Sequence, residues 1–276
     1  MQDFSVIIPA RNAALTLEIC LQAVFESSHK PQQVMVVNDG SSDATQDIAA
    51  YYPCRILNVN IGKGPMRPRF AGAREAKTDI CIFVDADVRV KPDTFSKILA
   101  HFENPEISAV TGILNCGGGF QDFFSAYKNE YMNYIFKNRP RESGFLYGSL
   151  WAVRREDMIY FEPVSEPFGD LVSDSEMGMR LVREGKKILL DHSLEVEHWK
   201  KYSFRSLLRN DFMIPLMFSQ LLPVYADPRK IAAAGGFSHV RIGQVAASFF
   251  AFLGFLALSA GFFAKNYLFW AAGAMF

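Results

Sequence analysis

The stretch Ile80-Cys-Ile-Phe-Val-Asp-Ala-Asp-Val88 (ICIFVDADV) decides the architecture. Its first five residues are apolar without alternation, and three of them are β-branched. A run of that length reads as a strand buried on both faces, as in a parallel sheet covered by helices. Two carboxylates, Asp85 and Asp87, follow at once. In such sheets the ligand lies beyond the carboxyl ends of the strands, so a pair of acids there is placed for chemistry.

Working outward, strand-like and helix-like segments alternate. Strands are expected at 4–9, 33–37 and 55–59, and helices at 16–26, 43–51 and 68–76. Alternation of this kind builds a mostly parallel α/β sheet with helices on both faces. Further along the pattern loosens. Cys116 to Gly119 reads as a flexible joint, 121–136 as an amphipathic aromatic helix, 146–153 as a strand, 173–185 as a helix closed by glycine, and 187–190 as a short strand. The segment 203–222 is helix-like but interrupted by Pro215, with an apolar face of Phe212, Met213, Leu216, Met217, Leu221 and Leu222.

From Val245 to Ala264 the chain carries no charge, and as a helix at ~1.5 Å per residue that run crosses the ~30 Å of bilayer hydrocarbon. A second apolar run, 267–276, ends with the chain. The expected organisation is therefore a catalytic domain at 1–202, an interfacial helix and basic linker at 203–244, and a transmembrane region at 245–276. Arg229, Lys230 and Arg241 precede the span, so the globular part is expected on the cytoplasmic face. Lys265 is the contrary charge.

Lys+Arg and Asp+Glu both total 29, which gives no global basic field for nucleic acid. Cys20, Cys54, Cys81 and Cys116 form no CxxC pair or Cys/His cluster, so neither a zinc site nor a disulfide framework is indicated. Two carboxylates at a strand end can hold a hard divalent cation, Mg²⁺ or Mn²⁺, and the diphosphate attached to it. A lone Asp-x-Asp occurs by chance often. Here four successive strand ends carry polar motifs: Pro9-Ala10-Arg11-Asn12, Asn38-Asp39-Gly40-Ser41, Gly62-Lys63-Gly64 and the Asp85/Asp87 pair. Asp39 can accept a nucleobase N–H or a ribose hydroxyl; as plain turn chemistry, the same residues would only shape a loop.

Taken together, these motifs resemble family 2 glycosyltransferases of the GT-A fold, the nucleotide-diphospho-sugar transferase fold, over roughly residues 5–211. Pro9 to Asn12 is similar to the family's Pro-x-x-Asn. Asp39, Gly40, Ser41 and Asp43 match its Asp-Gly-Ser-x-Asp, and Asn60, Gly62, Arg69, Gly72 and Ala76 match its Asn-x-Gly and Ala-Arg-Asn stretch, from which Pro68 and Phe70 depart. Ser173 to Gly185 resembles the helix bearing the family's catalytic carboxylate, with Ser173 in place of a glutamate. The resemblance implies Asp174 as catalytic base and Pro9, Ala10, Asn12, Asp39, Arg69, Asp85 and Arg209 as donor-binding residues. It implies Asp87, Asp85 and His198 around the metal. Arg209 falls where processive relatives carry Gln-x-x-Arg-Trp, but Ser206 and Asn210 replace two of those residues, which points to transfer of a single sugar.

The implied reaction moves one sugar, with inversion, from a nucleotide sugar (UDP favoured by family habit) to a membrane lipid or lipid-linked acceptor. The aromatic stretch 120–136 is expected to flank the acceptor path, with Lys128 and Lys137 near anionic headgroups. Transfer to a polysaccharide or other non-lipid acceptor, and a non-catalytic anchored module, remain as alternatives. A dinucleotide enzyme would carry G-x-G-x-x-G after the first strand, where this chain has PARNAA.

Overall fold

The computed structural model describes residues 3–62, 64–161, 172–225, 236–237, 240–241 and 250. The chain forms two compact units, Met1–Tyr225 and Ala226–Phe276. Of the expected span at 245–264 only Phe250 is described, so the span lies outside the described residues. Among those residues no helix is long and apolar enough to cross a membrane.

The expected alternation is present in the first unit. It opens with β1 (Phe4–Ala10), α1 (Leu17–Glu26), β2 (Gln33–Asp39), α2 (Thr45–Ala50), β3 (Arg55–Val59), α3 (Met66–Glu75) and β4 (Ile80–Val84). Then come β5 (Val88–Arg89), α4 (Thr94–Phe102), β6 (Ile107–Leu114), α5 (Phe123–Lys137), β7 (Glu142–Ser143), β8 (Leu150–Arg154), α6 (Arg155–Tyr160), α7 (Ser173–Arg183), β9 (Lys187–His198) and α8 (Phe204–Tyr225). The second unit contributes a short antiparallel pair, β10 (Gly236–Phe237) and β11 (Val240–Arg241).

The sheet runs β3-β2-β1-β4-β8-β6-β9-β5, with β7 on β9. It is mixed, with the parallel pairs expected from the sequence in the majority along that path. The first four strands and the β6/β9 pair are parallel, but β8 lies antiparallel between β4 and β6. Buried β4 justifies the opening reading: all five of its residues are inaccessible to solvent. Behind it Phe83 stacks on Trp151 of β8 at 4.2 Å between ring centres, within one core that includes Ile7, Val37, Phe70 and Met177.

Two expectations are revised for identifiable reasons. β9 is far longer than 187–190, because the polar triplet Asp191-His192-Ser193 hides the alternation of buried Leu194, Val196 and His198 that continues the strand. Its register against β6 slips at that triplet, where buried Asp191 is paired with His101 at 2.7 Å. In the turn expected to be a flexible joint, Gly118 and Gly119 are packed closely against the end of β9, while Cys116 and Gly117 are exposed. A Cβ on Gly119, whose φ is +81°, would stand 1.9 Å from the His198 carbonyl oxygen.

Helix α8 continues through Pro215 and packs with the first unit, burying Leu207, Phe218 and Leu221. The buried Lys128 ammonium meets Asp211 at 2.5 Å, and Lys137 meets Glu195 at 3.0 Å. Both lysines are thus engaged by protein carboxylates, Lys128 from a buried position and Lys137 from an exposed one.

Gly72 sets how closely α3 approaches the sheet: a Cβ there would sit 2.5 Å from Ile7 Cγ2 and 3.2 Å from Val37 Cγ2. Both neighbours are β-branched side chains in a filled core, so neither can swing away. Gly72→Ala is expected to destabilise the domain by about 1–3 kcal/mol, where the same change on an exposed helix face would stabilise by up to ~1 kcal/mol. Thermal unfolding measures this. An unchanged or raised midpoint would show that the helix has room to spare.

Candidate active site

The turn after β4 is pinned on both sides. Asp85 N donates to Ser149 O at 3.1 Å, Val88 N donates to Asp85 O at 3.0 Å, and Asp87 O accepts from Trp199 N at 2.6 Å. Fixed between the starts of β8 and the end of β9, the two carboxylates part company. Asp85 turns to a cation of the protein, and Asp87 turns to His198.

Arg69 of α3 is 1% exposed. Its Nη2 donates to Asp85 Oδ1 at 2.5 Å and to Gly148 O at 3.0 Å, and its guanidinium lies 5.8 Å from the centre of the Trp151 ring. Gly148 also borders Asp174, since a Cβ on it would come 2.8 Å from Asp174 Oδ2 and 3.5 Å from Arg69 Nη2. Burial pushes the Asp85 carboxyl above its usual range against the pull of Arg69. Asp174 lies in the first turn of α7, its Oδ1 accepting from Ser175 N at 2.8 Å. Burial raises its carboxyl to about 6, again opposed by Arg69. A carboxylate poised there can take a proton near neutral pH.

The nucleotide-side motifs meet in a cavity of about 370 Å³ lined by Pro9, Ala10, Asn12, Asp39, Asp85 and Asp87, among others. Asn12, at φ +51°, ties two strand ends together: its Oδ1 accepts from Ser42 N at 2.9 Å and its N donates to Ser41 Oγ at 3.0 Å. Asp39 borders the cavity, but its carboxylate already accepts from Ile61 N at 2.6 Å and Gly62 N at 3.0 Å. It therefore anchors the loop after β3 as well as facing the ligand space. Neither buried Arg69 nor Arg209, which is exposed on α8, is among the residues lining that cavity.

His198 Nε2 stands 3.7 Å from Asp87 Oδ2. Burial holds its imidazole below the usual histidine range, outweighing Asp87, so the ring is neutral and able to offer a lone pair. The three expected metal residues do not converge as one set: among the described residues no group of three His, Cys, Asp or Glu forms a cluster. Asp85 Oδ1 is instead engaged by Arg69. Asp87 and His198 still fit a cation such as Mg²⁺ or Mn²⁺, which commonly takes one or two protein ligands and completes its shell with water and substrate phosphates.

Comparison with known proteins gives the family and the fold. The family model described as "Glycosyl transferase family 2" matches residues 5–160, and the chain belongs to that family. It is 28% identical over 153 residues to the uncharacterized glycosyltransferase YibD of Escherichia coli K12, a match covering 53% of this chain and 42% of that protein. The chain thus spans less than half the length of that relative. The mannosyltransferase PcManGT from Pyrobaculum calidifontis, solved with GDP-Man and Mn²⁺, has a TM-score of 0.58 and 19% identity over 94% of this chain and 83% of its own. Glucosyl-3-phosphoglycerate synthase from Mycobacterium tuberculosis, with Mn²⁺ and UDP-Glc, gives 0.58 and 17% over 82% of this chain and 81% of its own. At these identities the likeness shows the GT-A-like fold.

Sequence reasoning missed Asn129 of α5, which is buried against His198, because an asparagine in an aromatic helix gives no signal of its own.

The raised Asp174 carboxyl fixes a pH dependence. The base is protonated below about 6 and ionised above it, so kcat/KM toward a hydroxyl acceptor should rise through pH 6 and be lost in Asp174→Asn. Because the folded state holds a proton that the unfolded chain releases near pH 4, stability falls as pH rises from about 4 to about 6. Asp174→Asn should therefore melt higher than wild type at pH 8 and similarly at pH 4. A flat rate profile between pH 5 and 8 would contradict the assignment.

Proposed function

We propose that the chain transfers one sugar, with inversion, from a nucleotide-diphospho-sugar to a lipid or lipid-linked acceptor at a membrane surface. The observation that carries the transfer chemistry is the division of the acidic residues: Asp87 faces His198 at one side of the site, while Asp174, raised to about 6, stands beside Arg69. A divalent cation, when bound there with the donor, neutralises charge developing on the departing diphosphate. Asp87 and His198 would hold that cation and, through it, the diphosphate end of the donor. Asp174 receives the proton of the acceptor hydroxyl as its oxygen attacks the anomeric carbon from the face opposite the leaving group. Arg69 stays fixed by Asp85 and Gly148 O and keeps the buried carboxylates from repelling one another. UDP is the favoured nucleotide on family habit; the solved relatives carry both UDP-Glc and GDP-Man.

The acceptor reading rests on the surface that α8 and α5 leave open. Along α8, Phe204, Leu208, Phe212 and Leu216 recur every four residues and are all exposed, with Phe212 at 70%. At ~100° per residue, Arg205 and Arg209 border that row. On α5 the rings of Phe123, Tyr127 and Tyr131 stack in sequence, and Phe124 joins them to Phe204 at 5.8 Å. An apolar helix face edged by arginines suits the headgroup region of an anionic membrane. We place the catalytic unit on the cytoplasmic side, on the strength of the basic residues before the apolar run at 245–264.

The distinguishing assay offers labelled nucleotide sugars with membrane lipid extract or with soluble sugars and proteins. Label should enter the lipid fraction, and Phe212→Asp together with Leu208→Asp should lower that transfer at least several-fold while the donor is still bound. Label entering only water-soluble products, at a rate indifferent to lipid, would refute the acceptor.

A further inference from the structure

His198 does not stand alone in its pocket. Asn129, 1% exposed on α5, places its Oδ1 3.0 Å from His198 Nδ1. Its Nδ2 lies 3.2 Å from Gly118 O and 3.1 Å from His198 O. We propose that Asn129 is a positioning residue for the cation half of the site, locking His198 in the Nδ1–H tautomer so that the Nε2 lone pair faces Asp87. The inference rests on the reading of Asp87 and His198 as cation ligands and names what orients one of them.

An asparagine amide offers two N–H groups at one end and a carbonyl oxygen at the other. Two backbone carbonyls face the nitrogen end, and neither can donate. Turning the amide over would set its oxygen against both of them, so the orientation follows from the network. The atom beside His198 Nδ1 is then an acceptor, and it must be met by an N–H. A neutral imidazole that donates from Nδ1 carries its lone pair on Nε2. Nε2 is the nitrogen that looks toward Asp87 Oδ2, across 3.7 Å. That gap is too long for a hydrogen bond, so the two side chains would be left to hold a cation as separate ligands.

The turn before α5 makes the network possible. Gly118 and Gly119 press against the end of β9, where a Cβ on Gly118 would stand 2.6 Å from Glu197 Cγ. The Gly118 carbonyl thereby comes within reach of the same amide that serves His198. Metal-bound histidines commonly direct their second nitrogen to such a partner, and its loss costs roughly 10–100-fold in metal affinity.

Two measurements test the role. In the metal-free full chain in detergent, ¹⁵N-histidine NMR should show His198 with a protonated Nδ1 and a bare Nε2; a protonated Nε2 in that neutral ring would overturn the role of Asn129 whatever any variant does. Mn²⁺ alone, titrated by electron paramagnetic resonance, should bind Asn129→Leu roughly 10–100-fold more weakly than wild type. In a His198→Ala background the same substitution should change Mn²⁺ affinity no further, because the ligand that Asn129 orients is already gone. Equal weakening in both backgrounds would mark Asn129 as merely structural and overturn the proposal. Failure of the wild-type chain to bind Mn²⁺ would instead sink the cation reading on which the proposal stands, and the tautomer result separates the two failures.

Discussion

A single buried guanidinium determines how the acidic residues of this site divide their work. Arg69 ties three elements together: α3, which carries it; the turn after β4, through Asp85; and the approach to β8, through Gly148 O. Isolated charges are costly to bury, and removing one partner of such a pair commonly costs 3–5 kcal/mol because the other is left unpaired. With Arg69 in place, Asp85 is engaged, Asp87 remains free for an outside cation, and Asp174 is drawn partly back from the rise that burial imposes. The cation-binding side and the proton-accepting side of the site are thus kept apart by a cation built into the chain.

That arrangement depends on ordinary packing one turn further along α3. Without a side chain at Gly72, α3 lies directly on Ile7 and Val37, and Arg69 reaches under the sheet's carboxyl edge. Gly148 acts in the same way on the other side, leaving the space that Asp174 Oδ2 and Arg69 Nη2 share. The glycines of this site are therefore defined by close approach, and the sheet's mixed topology supplies the approach by inserting antiparallel β8 beside β4.

Much of this was legible in the sequence because it follows from local pattern. The run Ile80 to Val84 declares a fully buried strand, and the polar motifs after β1, β2 and β4 gather at one edge by topology alone. What was not legible depended on partners remote in the chain. Arg69 had no visible reason to choose Asp85 over a nucleotide, and Asn129 no visible reason to face His198. The tail of β9 is masked by Asp191-His192-Ser193, where the burial of Asp191 makes sense only once His101 is beside it. The apolar face of α8 was read as one surface, whereas the fold spends Leu221 on the domain and leaves Phe212 and Leu216 outside.

The central claim is that Asp87 and His198 hold a divalent cation that the transfer reaction requires. Release of UDP or GDP from the corresponding nucleotide sugars, measured with membrane lipid extract as acceptor source, tests it most directly. With Mg²⁺ or Mn²⁺ the wild-type chain should release nucleoside diphosphate, and excess EDTA or the Asp87→Ala substitution should remove most of that release while the fold stays intact. Undiminished turnover in excess EDTA would contradict the account.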